Sequence, residues 1–247
     1  MSERRLSIVL PGHELRGHAP LVYEKLAKSC PPHGKEHLGL VAVAHALARN
    51  ALGRCLPPSA LVQLQPAVST LEAFLSGRRS ARESVGLARD ARAAAFAALP
   101  TLELFTSSAV LEAAKRLPNG ERTTLHEHAQ HTLGRMLGLS VHHAVAALCH
   151  TLDAIDDREG CLSVPSDACG ALAYSRTALG SARNPAFQLA ALEQARWEGD
   201  RSKGAGVPSA ALEVQVFHEY LGARWRAHAD EERRASDDFI AWALGSA

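Results

Sequence analysis

The chain has 247 residues, 47% of them hydrophobic, which is enough to bury a core and too many for a disordered segment. Its 27 Lys and Arg against 26 Asp and Glu leave a net charge of +1, which excludes a global field for nucleic acid or an anionic membrane and admits only local patches. Five cysteines, at 30, 55, 149, 161 and 169, show no CxxC spacing, so neither a disulfide framework nor a zinc knuckle is indicated and a reducing, cytoplasmic setting is expected.

In chain order, Leu6 to Leu10 reads as a short strand or an apolar lead-in, too short for a signal peptide, and no later stretch reaches membrane-spanning length. A helix is predicted from Pro20 to Ser29, broken by CPPHG at 30–34. From Lys35 to Arg54 the spacing predicts a helix in which His37 and His45 share a face with Val41, Ala44, Ala48 and Leu52. Both imidazoles are therefore expected to be partly buried and to need hydrogen-bond partners. Pro57 and Pro58 precede a helix to Ser76, which Pro66 should kink or split and Gly77 should end. Ser80 and Glu83 form a capping box opening an alanine-rich helix to Leu99, and Pro100 with Thr101 starts another to Leu117. Arg82, Arg89 and Arg92 fall near one side of the first of these, a solvated face or a docking strip for an acidic partner.

Thr123 to Asp157 holds six of the thirteen histidines. Gly138 as a C-cap and Ser140 as an N-cap divide it into helices at 125–137 and 141–157, joined as an antiparallel hairpin. In the first, His126 and His128 flank the core face while Glu127 and His131 point away, and HEHAQH lacks the zincin spacing. In the second, His143, His150 and Asp157 recur every seven residues opposite the apolar face, with Ala147 and Ala154 between them. That stripe offers a narrow surface on which a helix or a partner can lie. Seven residues along a helix is about 10.5 Å, too far for His143 and His150 to share one metal ion. His150 and Asp153, three apart, are the alternative metal-ligating pair.

Beyond the loop 158–165, helices are predicted from Ser166 to Leu179 and from Asn184, with Pro185 at its first position. GDRSKGAGVP at 199–208 is the most linker-like stretch. The tail carries Phe217, Tyr220, Trp225, Phe239 and Trp242. The expected organisation is a helical domain over 1–198, a flexible loop or hinge over 199–208, and an aromatic-rich helical segment over 209–247 packed on the same domain. No stretch after residue 20 alternates with β-branched enrichment, so the fold class expected is all-α, a multi-helix bundle of antiparallel hairpins with partly solenoid-like stacking as its variant.

The run LEAFLSGRRSARESVGLARDARAAA, Leu71 to Ala95, resembles the helix, glycine and capped alanine- and arginine-rich helix of all-α, alanine-rich immunity proteins of bacterial polymorphic toxin systems, and VHHAVAALCH at 141–150 is similar to their later histidine-bearing helices. The resemblance implies a protein that binds and neutralises a cognate toxin, and carries over no catalytic residue.

The residues themselves give no phosphate loop, nucleophile elbow or dinucleotide fingerprint, so a non-enzymatic protein-binding protein without a cofactor is expected. Its candidate surfaces are His143, His150 and Asp157, the strip Arg82, Arg89 and Arg92, and Trp225 with Trp242. The partner expected is another protein, a toxin domain among the candidates, rather than nucleic acid or membrane. Two alternatives stand beside it: a metal-dependent helical enzyme assembled from His37, His45, His143, His150 and Asp153, and a homodimeric scaffold joined through the aromatic tail.

Overall fold

The computed structural model describes residues 19–115, 124–182 and 210–245. The elements are α1 (Ala19–Ser29), α2 (Lys35–Cys55), the short α3 (Pro58–Leu61) running into a 3-10 turn (Val62–Leu64), α4 (Gln65–Leu75), α5 (Ala81–Lys115), α6 (Thr124–Asp153), a second 3-10 turn (Arg158–Leu162), α7 (Val164–Ala182) and α8 (Ala210–Ala243). Among the described residues there is no strand, and the fold is all-α. No helix among them is long and apolar enough to cross a membrane. The strand or lead-in at 6–10, the helix start at Asn184 and the linker at 199–208 lie outside the described residues.

Local signals set several boundaries. Pro66 splits the segment after Pro58 by sitting at the first turn of α4, where a missing amide costs nothing. Gly77, at φ 70°, closes α4 in a Schellman arrangement, with its amide on the Phe74 carbonyl and the Arg78 amide on that of Ala73. The Ser80 amide donates to Glu83 Oε2 at 2.9 Å and the Glu83 amide to Ser80 Oγ at 3.3 Å, so the capping box forms as the sequence predicts.

Two boundaries expected from the sequence are overturned. The predicted helices ending at Leu99 and starting at Pro100 are one helix, α5, with Pro100 inside it. Ala88, Ala95 and Leu102 recur every seven residues and are all buried, so the face that carries the core runs through the proline and outweighs its lost hydrogen bond. The predicted hairpin at Gly138 and Ser140 is likewise one helix, α6. Leu133, Leu137, Val141, Ala144, Leu148 and Leu152 form one buried stripe across the presumed turn, and Ser140 is itself buried. A glycine in mid-helix costs about 1 kcal/mol, less than burying that stripe returns.

α6 is the central helix. It packs most extensively on α7 and α5 and then on α2, and α8 covers α7. The pairings run antiparallel. Going down α6, Asp153 meets Arg92 of α5 and Gly138 approaches Glu103, while His143 meets Asp167 and Met136 clusters with Ala178 of α7. Consecutive antiparallel hairpins thus make the bundle. The main core gathers Leu40, Leu52, Leu71, Leu102, Leu148, Leu152 and Ile240, and a smaller cluster around Leu133, Leu137 and Leu221 extends it toward the other end of α6. Ala144 and Ala147 of α6, and Ala154 just past its end, are fully buried small residues against which neighbouring helices approach closely.

Two polar ties fix the ends. His37 is wholly buried, accepts the His33 amide on Nδ1 at 2.8 Å, and therefore carries its proton on Nε2, which donates to the Ala154 carbonyl at 2.6 Å. Arg158 donates to the Ala27 and Lys28 carbonyls at 3.1 and 2.9 Å, capping α1 at its negative end.

Candidate functional site

One cluster of titratable groups forms where α5, α6 and α7 meet. Arg92 Nε of α5 lies 3.0 Å from Asp153 Oδ2 at the end of α6, an ion pair by distance without the alignment of a hydrogen bond. His150 stands between two carboxylates, with Nδ1 3.9 Å from Asp153 Oδ2 and Nε2 3.6 Å from Asp167 Oδ2. His143 Nδ1 sits 3.0 Å from the other oxygen of Asp167, in hydrogen-bond reach. Asp167 thus bridges two histidines two turns apart, one on each oxygen. Sequence reasoning missed Asp167. Its only signal is an acid in the first turn of a helix, where the dipole favours it wherever the helix packs.

The stripe of His143, His150, Ala147 and Ala154 is a face on which a helix lies, and that helix is α7 of the same chain. His143 also stacks on Tyr174 of α7, ring centroids 5.7 Å apart and 11° from parallel, and Tyr174 in turn packs against Trp225 of α8 at 5.3 Å. Gly170 of α7 lies against the same ring, where a Cβ would sit at ordinary contact distance, 3.6 Å from the imidazole.

A cleft of about 600 Å³ opens beside the stack, between α1, α7 and α8. Its walls include Glu24, His143, Tyr174, Trp225, Ser236 and Asp237. Two polar atoms there are buried without a hydrogen-bond partner, Trp225 Nε1 and Ser236 Oγ. Asp237 is half-buried, and that burial raises its carboxyl above the ordinary range despite nearby Arg233.

The remaining candidates scatter. Asp157 is exposed and accepts the Glu159 amide, capping the second 3-10 turn. Arg82 and Arg89 are exposed on α5, whereas Arg92 is spent on Asp153 and lies over the Phe96 ring at 5.2 Å. Trp242 packs on Phe239 against the main core, far along α8 from Trp225. His37 is tied to a carbonyl and His45 is buried on α2 with Nδ1 unpartnered, and neither joins His143 and His150. His131 is exposed, and the side chains of His126, Glu127 and His128 lie outside the described residues.

Among the described residues, no group of three or more His, Cys, Asp or Glu is placed to hold a metal ion. All five thiols are free, and burial pushes each upward, Cys149 and Cys161 to about 12 and Cys169 to about 11. They stay protonated and poorly nucleophilic at neutral pH. Compared with protein-family models, curated proteins and solved structures, the chain matches none.

Proposed function

We propose that this chain is a non-catalytic protein-binding protein, immunity-like in that it neutralises a toxin by occupying it. The observation that carries the reading is how the reactive side chains are spent. Arg92, Asp153, His150, Asp167 and His143 tie three helices together, and the cysteines are held as thiols. Such a framework is rigid and chemically quiet, which suits a surface that must be presented. Arg82 and Arg89 remain on α5 as exposed cations for an acidic partner.

The test is co-expression with each protein encoded beside it. One of them should arrest growth alone, be relieved by this chain, and co-purify with it at a fixed ratio. If none binds, the reading fails.

One observation favours a second reading, a proton-transferring enzyme. His143 lines the cleft with its Nδ1 held by Asp167, the carboxylate-and-histidine arrangement of a general base. In its metal-dependent form this reading requires stoichiometric metal in purified protein, and sub-stoichiometric metal in every preparation would remove that form.

A further inference from the structure

We infer that the cleft between α1, α7 and α8 binds an organic cation, a guanidinium or primary ammonium group on a short stem, with Asp237 as its counter-charge. This inference does not rest on the toxin-binding proposal, and either can fail alone.

The charges around the cleft pair off and leave one over. Glu24 is taken by Lys28 one turn along α1. Arg233 lies 3.6 Å from Asp230 one turn back along α8, and although its charge also reaches Asp237 the two form no ion pair. Asp237 has no hydrogen bond or ion pair among the described residues, yet it is half-buried on the wall. An unpaired carboxylate in a sheltered cleft is the costliest group there, and a cation entering beside it removes that cost.

The other walls suit the same class of ligand. Ser236, 6% exposed, lines the cleft next in sequence to Asp237 and its hydroxyl is without a hydrogen-bond partner, so it can accept an N–H. The Cys169 thiol lies beside it, a weak partner. His143, its Nδ1 on Asp167, lines the same cleft. Tyr174 and Trp225 supply the aromatic wall on which a guanidinium stacks. The volume, about 600 Å³, lies within the range of small-ligand sites.

Trp225 Nε1 separates two sources of such a cation. An indole N–H only donates, so its unpartnered state asks for a ligand acceptor such as a peptide carbonyl. An arginine carried on a peptide has that carbonyl, whereas a free diamine or agmatine does not.

The experiment is a titration of the full 15N-labelled chain, following the Trp225 indole N–H resonance, assigned with Trp225→Phe, and using the Trp242 resonance as internal control. Nα-acetyl-arginine amide should shift the Trp225 signal saturably. Its uncharged isostere Nα-acetyl-citrulline amide should not. Asp237→Asn, near-isosteric and checked for folding by the rest of its spectrum, should weaken binding about tenfold, the loss of roughly 1.4 kcal/mol. Agmatine binding more weakly than the amide assigns the cation to a peptide, and binding as tightly assigns it to a free amine. No saturable shift with either cation, equal binding of the citrulline amide, or an unchanged affinity in Asp237→Asn would overturn the inference.

Discussion

Nδ1 of His143 lies 3.0 Å from Oδ1 of Asp167, across the seam where α7 settles on α6. The pair is partly wet, with side chains 33% and 18% exposed, so its worth falls between that of a surface ion pair and that of a buried one. We expect a double-mutant cycle of His143→Ala and Asp167→Ala, read by urea unfolding, to give a coupling of about 1 kcal/mol. A coupling near zero would mean that the contact is incidental to how α6 and α7 dock.

Gly160 is needed for a steric reason. A Cβ there would come within 2.7 Å of the Ala154 amide nitrogen and 2.8 Å of the His150 carbonyl, both main-chain atoms at the end of α6 that cannot swing aside. Gly160→Ala should therefore cost about 1 to 3 kcal/mol. Gly134 makes the opposite case, because a Cβ there meets nothing within 4 Å in the middle of α6. Gly134→Ala should stabilise by about 0.5 to 1 kcal/mol. Urea midpoints of the two variants should move in opposite directions from wild type; a loss in both would contradict the Gly134 argument, and a gain in both the Gly160 argument.

His37, His45 and His228 all have imidazoles held below their ordinary range, each first by burial. For His45 the Arg49 charge adds to it, and for His228 those of Arg176 and Arg224. Because the folded state refuses a proton that the unfolded chain accepts below about pH 6.5, their contribution to stability is full above that pH and declines as the pH falls. The urea midpoint of wild type should drop between pH 7.5 and pH 5. His37→Gln should be less stable at pH 7.5, having lost the fit between His33 and Ala154, but should show a shallower fall. An equal slope in both proteins would show that His37 does not titrate with unfolding.

The elements that could be read from the sequence are those whose ends are decided locally. Ser80 with Glu83, Gly77 and Pro66 each satisfy or remove backbone bonds within a few residues, and the helices stop where these stand. Pro100 and Gly138 carry equally strong local signals, yet α5 and α6 run through them because Leu102 and Val141 are buried by contacts with other helices. The site shows the same division. The seven-residue spacing sets His143 and His150 two turns apart, as the sequence reads, and a carboxylate with two oxygens spans that gap from α7. Asp167 is the one acid in residues 164–182, but nothing local says that this helix turns it toward α6. The cleft is less legible still, since Trp225, Ser236 and Asp237 become neighbours of His143 only when α8 covers α7.

Glu232 joins three helices at one carboxylate. Arg54 of α2 reaches it at 3.2 and 3.3 Å, and Arg176 of α7 at 2.7 Å, while Glu232 itself is 6% exposed on α8. Removing its charge leaves Arg54 without its carboxylate and Arg176 with Glu231 alone, but both guanidiniums stay open to water at 46% and 36%, so the full penalty of a buried unpaired ion does not apply. Glu232→Gln should cost about 2 kcal/mol, and that loss should change little in 0.5 M salt because the carboxylate is sheltered. Glu231 holds the other nitrogen of Arg176 at 2.7 Å from the exposed side. Glu231→Gln should leave the urea midpoint unmoved within error. Equal losses from the two substitutions would place the strength of the clamp in Arg176 alone, and α2 would then be held to α8 by packing without help from Arg54.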